Sequence, residues 1–373
     1  MNTVPPSSVA APRPQPSRRV RVVGWLLIAV VSIGSVSAGG WVLKGRWTQE
    51  RQWIEQSIDR DSFPHGAYVA DPEVGFRPAR DFSGTMLDKS FHVRTDGLGS
   101  RIPTNARPDG LEPNGILAAG CSFTYGYDVE AEQAFPYVIG QLLEIPSYNF
   151  GVCAYSYATA VLLVKELERE GTLAKLAPQF LVLGAGAWLE DRSRSPFYPT
   201  ASLPFTYPYL RKQEDRAVVA RAPSFIDVRH AIAAVDGGPR DGALVPRVWF
   251  ARMYGRTLPD PGSQATLKDE AIYEFVVGEL GDIARRHNMR LAILWLPHHD
   301  VEAVNPKLAQ VASKHPEVVL IDGNEAMRDE HVPAQEFADR HPSAIAHAAY
   351  ARHVAAILRP FKRPDRRLPV SAQ

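Results

Sequence analysis

Between Gly115 and Leu358 the chain alternates short, mostly apolar runs with longer segments of helical spacing, and this alternation restricts the fold more than any other feature. The runs Gly115–Ala119, Ser147–Phe150, Gln179–Gly184, Arg290–Leu296 and Val318–Ile321 have the length and the flanking turn residues of buried strands. Helices are predicted at Ala131–Leu143, Tyr155–Arg169, Lys268–His287, Ala303–Ser313 and Pro342–Leu358. The third of these places Ile272, Phe275, Val276, Leu280 and Ile283 on one face. Strands that alternate with helices require a parallel sheet covered on both sides. In such a sheet the site lies outside the carboxyl ends of the strands. The loops after residues 119, 150, 184, 296 and 321, and the segment ahead of the last helix, are therefore where chemistry is expected.

The N-terminal third is organised differently. Residues 1–21 are rich in Pro, Ser and Ala and are predicted to be a disordered cytoplasmic segment, since they have too little apolar surface to order themselves. Arg18, Arg19 and Arg21 precede Val22–Leu43, which contains no charge. As a helix that run spans ~33 Å, enough to cross a hydrocarbon core of ~30 Å. The arginines place its start in the cytoplasm, so residues 22–43 are expected to be a transmembrane anchor with the rest of the chain outside, in the periplasm or beyond the cell. A signal peptide cleaved after Ala38, with Val36 two positions before it, is the competing reading. Residues 44–112 form a stalk and lead-in, with a helix at Trp47–Ile58 and short strands and turns from Asp71 to Arg101. The main domain runs from 113 to 362, with an insertion at about 192–262 where periodicity fails, and residues 363–373 are a tail.

Composition excludes some classes. The formal net charge is +1 and no basic stretch is interleaved with aromatics, so nucleic acid is not an expected partner. The only cysteines, Cys121 and Cys153, form no CxxC pair, which argues against a zinc or redox motif. His298, His299 and Asp300 follow the fourth strand, but adjacent side chains on a continuing strand point to opposite faces and cannot easily share an ion. His347 and His353 read as ordinary residues of the closing helix, and no metal site is expected.

Three loops at the expected edge carry reactive residue types. Gly120-Cys121-Ser122-Phe123-Thr124-Tyr125-Gly126 sets a serine on a strand-to-helix turn, where a nucleophile is exposed near backbone N–H donors. A helix-capping serine explains the same residues. Asn149-Phe150-Gly151 provides a glycine that lets the backbone approach a ligand or simply makes a tight turn. Asp339-Arg340-His341-Pro342 puts an acid two positions before a histidine, with Pro342 placed as the first helical residue. An acid and a histidine together at the active edge point to a catalytic pair.

In order and spacing these pieces resemble the SGNH (GDSL-like) hydrolases over roughly residues 70–360. Gly120–Thr124 with Gly126 looks like their first block, Asn149–Gly151 like their glycine block, and Asp339 with His341 like their terminal Asp/His block. The lead-in motifs Asp71-Pro72-Glu73-Val74-Gly75-Phe76 and Arg94-Thr95-Asp96-Gly97-Leu98-Gly99-Ser100-Arg101 resemble those of exported bacterial members. The resemblance implies a flavodoxin-like three-layer α/β/α sandwich acting on an acylated carbohydrate or lipid, without metal or organic cofactor. Ser122 would be the nucleophile, His341 its base and Asp339 the residue that orients the imidazole, with the N–H groups of Ser122 and Gly151 binding the oxyanion.

The sequence departs from that pattern at two positions. Trp188 falls where the family offers an oxyanion asparagine, which favours an alternative in which a catalytically weak domain binds envelope polysaccharide. Cys121 stands where many members have aspartate, so its thiol is a rival nucleophile to Ser122. Cys121 and Cys153 are also expected to form a disulfide, because they end strands that the βαβ pattern makes neighbours, ~4.8 Å apart, and the domain is exported.

Overall fold

A computed structural model of the chain describes residues 67–85, 91–106, 111–194, 208–214, 216–220, 267–297, 303–333 and 341–364. The lead-in contains β1 (Tyr68–Asp71), β2 (Gly75–Pro78), β3 (Ser83–Thr85), β4 (His92–Thr95) and β5 (Arg101–Ile102). The main domain contributes β6 (Ile116–Gly120), β7 (Ser147–Gly151), β8 (Phe180–Ala185), β9 (Tyr209–Gln213), β10 (Arg216–Ala220), β11 (Arg290–Trp295) and β12 (Val318–Asp322). Its α-helices are α1 (Ser122–Tyr125), α2 (Phe135–Leu143), α3 (Tyr157–Arg169), α4 (Thr172–Leu176), α5 (Trp188–Ser193), α6 (Asp269–Arg286), α7 (Pro306–Ala312), α8 (Gly323–Asp329) and α9 (Ala344–Leu358).

The central sheet is eight-stranded, in the order β12-β11-β8-β6-β7-β5-β4-β3. From β12 to β7 every neighbouring pair is parallel. Numbered along the chain, those parallel strands have the order 2-1-3-4-5, which is the flavodoxin-like order. Right-handed crossovers put α2 on one face and α3, α6 and α7 on the other. In agreement, α2 packs against α9, and α6 packs against both α3 and α7. With both faces covered, β6 and β8 are buried at every position, as their apolar runs require. The carboxyl end of β6 leads directly into α1.

The sheet is not wholly parallel, as the alternation alone suggested. The lead-in adds an antiparallel edge, in which β5 joins β7 through the single pair Arg101↔Asn149, and β4 and β3 follow. The lead-in is thus part of the main sheet rather than a segment set apart from it. The predicted insertion contains a hairpin, β9–β10, and the remainder of 192–262 beyond Arg194 lies outside the described residues. The predicted helix at 131–143 divides into a 3₁₀ turn at Ala131–Gln133 and α2, which starts beside Pro136, where the missing N–H has no role in the helix. Pro342 is not the first helical residue: Ser343 caps α9, its hydroxyl accepting from Ala346 N at 3.4 Å, and the helix begins at Ala344. Among the described residues no helix is long and apolar enough to cross a membrane; the predicted anchor at 22–43 lies outside them.

Gly151 is required by a close approach. A methyl group on its α-carbon would lie 2.4 Å from Tyr125 N and 2.7 Å from Thr124 C, both backbone atoms of α1. Gly151→Ala is expected to lose about 1–3 kcal/mol of stability in urea melts, because the clash can be relieved only by moving a helix. A melt that superimposes on wild type would show that α1 is free to shift.

Candidate active site

Ser122 is the first residue of α1, and Cys121 before it is extended. Gly126, at φ +79, closes the turn in the left-handed conformation that favours glycine, and its N–H donates to Ser122 O at 3.0 Å. The amide of Asn149 holds the same, C-terminal end of the helix, Nδ2 donating to Thr124 O at 3.0 Å and Tyr125 O at 3.2 Å. Carbonyls at a helix terminus have no partner within the helix itself.

His341, in the segment that leads into α9, reaches back to this turn. Its Nε2 lies 2.9 Å from Ser122 Oγ, although 219 residues separate the two in the chain. The predicted nucleophile and base are therefore in hydrogen-bonding contact. Nδ1 of the same ring is 3.7 Å from Asp128 Oδ2. That distance suits a charge neighbour and is too long for a hydrogen bond. Asp128 was not singled out from the sequence; it lies in the turn that follows α1, at φ +76. Asp339, the predicted orienting acid, lies outside the described residues, as do His298, His299 and Asp300.

The imidazole sits among aromatic rings. Tyr127 is 4.8 Å and Phe123 5.4 Å from it between centroids, and Trp188 continues the series at 4.7 Å from Phe123. Trp188 opens α5, and its indole lies over Gly186 so closely that a methyl group there would come within 2.4 Å of the ring. Its observed place is thus as a wall beside Phe123.

Two expectations for the site are corrected. The N–H of Gly151 is already engaged, donating to Asn149 Oδ1 at 2.9 Å, so it is not open to an oxyanion in this arrangement. The loop just beyond it contains a residue that the sequence reading passed over, because alanine carries no chemistry. Ala154 is buried and holds φ +69, a conformation that costs a non-glycine residue about 1–3 kcal/mol and gathers at functional sites. No acceptor for its N–H is found among the described residues.

The second correction concerns the cysteines, which are both buried and free. β6 and β7 are neighbours as expected, but their register pairs Gly120 with Gly151, so Cys153 lies one residue further along than a partner level with Cys121 would. Cys153 instead packs on Tyr68, whose hydroxyl takes its N–H at 3.3 Å, and burial pushes its thiol up to about 12. It is Ser122 rather than Cys121 that meets the imidazole. Among the described residues, no group of three or more His, Cys, Asp or Glu side chains is placed to hold a metal ion.

His347, read as an ordinary helix residue, is one turn into α9 and fully buried. Its Nδ1 accepts from Phe135 N at 3.2 Å, and burial lowers its pKa to about 3. The unfolded chain takes up a proton below about pH 6.5 that the folded chain refuses down to about 3, so this contribution is complete above 6.5 and lost as pH falls. Asp96, raised by burial to about 6, acts in the opposite direction and favours the fold at low pH. Urea melts between pH 8 and pH 4 should show a shallower loss of stability in His347→Gln than in wild type. Equal slopes would mean that His347 is not buried in its neutral form.

No family model and no curated protein matches the chain. The solved structures it resembles include a lipolytic protein of the GDSL type and carbohydrate esterases. One is a protein assigned to the G-D-S-L lipolytic family from Desulfitobacterium hafniense, at 13% identity and TM-score 0.29, covering 66% of this chain and 99% of that one. Another is a family two carbohydrate esterase from Clostridium thermocellum, at 12% identity and TM-score 0.37, covering 71% of this chain and 68% of that one. A third is an acetyl-xylooligosaccharide esterase from a Geobacillus species, at 14% identity and TM-score 0.34, covering 68% of this chain and 97% of that one. At such distances the chemistry rests on this chain's own geometry.

Proposed function

We propose that this chain is a serine esterase of the SGNH type that works through an acyl-enzyme on Ser122. The observation that carries this reading is the 2.9 Å contact between His341 Nε2 and Ser122 Oγ at the carboxyl edge of a parallel sheet. His341 takes the hydroxyl proton as Oγ attacks the ester carbonyl, and returns it to the departing alkoxide. Water, or a second hydroxyl in a transfer reaction, then gives its proton to His341 as its oxygen attacks the acyl carbonyl, and His341 passes that proton to Ser122 Oγ as the acyl–Oγ bond breaks. Asp339 orients the imidazole in this scheme, and the N–H groups of Ser122 and Ala154 are the oxyanion donors we favour.

The partly exposed rings of Tyr127 and Trp188 suit an amphipathic substrate, and we take this to be an acylated carbohydrate or glycolipid of the cell envelope. A second reading, a catalytically weak domain that binds envelope polysaccharide, is favoured by one observation, the engagement of Gly151 N–H by Asn149. A fluorophosphonate separates the two. It should form an adduct with the full-length chain that peptide mass spectrometry places on Ser122, and an unlabelled, folded chain would favour the binding domain.

Membrane anchorage through residues 22–43 is part of the same proposal. Its support is the uncharged run behind the arginines. The full-length chain should remain with membranes through a carbonate wash, and a mature N-terminus at Gly39 would mark a cleaved signal peptide instead.

A further inference from the structure

Arg101 lies in β5, one strand away from the catalytic turn, and only 3% of its surface is exposed. Among the described residues no carboxylate pairs with it. Its guanidinium instead collects main-chain carbonyls: Nη1 donates to Tyr125 O at 2.8 Å and Gly126 O at 2.7 Å, and Nη2 to Val129 O at 2.7 Å. It also lies over the Tyr125 ring at 4.5 Å and the Phe91 ring at 5.2 Å. A guanidinium is suited to this task, since its planar fork can satisfy several acceptors at once.

The carbonyls it holds flank the two residues that touch the base. Gly126 and Val129 bracket Tyr127, whose ring packs on His341, and Asp128, whose carboxylate is the charge next to Nδ1. Gly126 is also where a side chain would crowd the guanidinium, since a methyl group there would stand 3.1 Å from Nη1. Arg101 is paired in register with Asn149, which holds Thr124 O and Tyr125 O. Adjacent residues of two strands thus grip the end of α1 and the turn beyond it.

We propose that Arg101 is a positioning residue for catalysis: by holding Tyr125, Gly126 and Val129 it fixes Tyr127 and Asp128 against His341, and so aligns the imidazole with Ser122. The proposal rests on the esterase reading of that site. A displaced turn changes the geometry of the base, and on a short acyl ester, too small to depend on the Tyr127 ring, the effect falls on kcat.

The test uses the full-length chain with Arg101→Ala and Arg101→Lys, assayed on a short acyl ester. Arg101→Ala should lower kcat roughly 10²-fold, the scale of a small misplacement at a reacting centre, with KM changed by less than about threefold. Millimolar methylguanidinium should restore part of the rate in Arg101→Ala but not in Arg101→Lys. Lysine, which keeps the charge without the fork, should be intermediate and covers the case in which alanine does not fold. In histidine-labelled protein, the ring signals of His341, assigned by their loss in His341→Gln, should shift in both variants. A folded variant with wild-type kcat and unmoved His341 signals overturns the proposal. A rate loss that follows the unfolded fraction and ignores methylguanidinium overturns it too. Failure of the esterase reading appears separately, as a wild-type chain that no fluorophosphonate labels, and the His341 signals still report on positioning in that event.

Discussion

Ser122→Ala should lower ester hydrolysis by about 10⁴–10⁶-fold, and His341→Ala by a similar factor, with the circular dichroism of both variants unchanged. The serine supplies the oxygen that becomes acylated, and its Oγ lies 2.9 Å from the imidazole. The histidine moves the proton in both half-reactions, so its loss leaves an unactivated alcohol. Because the two side chains act as one unit, the double variant should be no slower than the worse single one. Multiplying effects would indicate independent roles. Undiminished turnover in either single variant would sink the assignment, and in Ser122→Ala it would send attention back to Cys121. That thiol is fully buried at the cap of α1, which is why we expect no such result.

The acid that orients His341 should prove to be Asp339. Asp339→Asn is expected to reduce kcat by about 10⁴-fold, the effect of leaving the imidazole in the wrong tautomer. Asp128→Asn should reduce it by less than about tenfold. Asp128 Oδ2 stands 3.7 Å from Nδ1, beyond hydrogen-bonding range, so it does not fix which ring nitrogen carries the proton. Its loss removes a neighbouring charge and leaves the tautomer as it was, which is the smaller of the two effects. Steady-state kinetics of the two variants decide the matter. If Asp128→Asn is the more damaging, the turn after α1 supplies the acid and Asp339 is left with a lesser part.

The pieces of the site that sequence could reveal are those fixed by topology. Ser122 and His341 stand where the strand ends and the closing helix must bring them, so a 219-residue separation did not hide their pairing. Gly151 was legible as a close approach but not as to what approaches: the space it leaves is filled by α1, and its N–H is taken by Asn149. The direction of the Asn149 amide is set chiefly by the carbonyls of Thr124 and Tyr125, which lie far from it in the chain. Ala154 was invisible for the opposite reason, because its backbone conformation rather than its side chain sets it apart. The cysteines show how far adjacency goes: β6 and β7 are neighbours, yet a shift of one residue in register leaves the thiols unbonded. Pro342 was a fair helix start until Ser343, a better cap, displaced the boundary by two residues.

The antiparallel edge has a practical consequence. A fragment begun at residue 113, where the repeating pattern starts, would leave the outer side of β7 without a neighbour. It would also withdraw the Arg101 guanidinium from the carbonyls of Tyr125, Gly126 and Val129. An open strand edge is a template on which other chains can align. In the intact sheet that edge is passed outward through β5 and β4 to β3, a three-residue strand of Ser83, Gly84 and Thr85 that offers little to copy. The segment before residue 113 therefore covers a strand edge as well as bracing the turn after α1, and a fragment that lacks it is expected to aggregate.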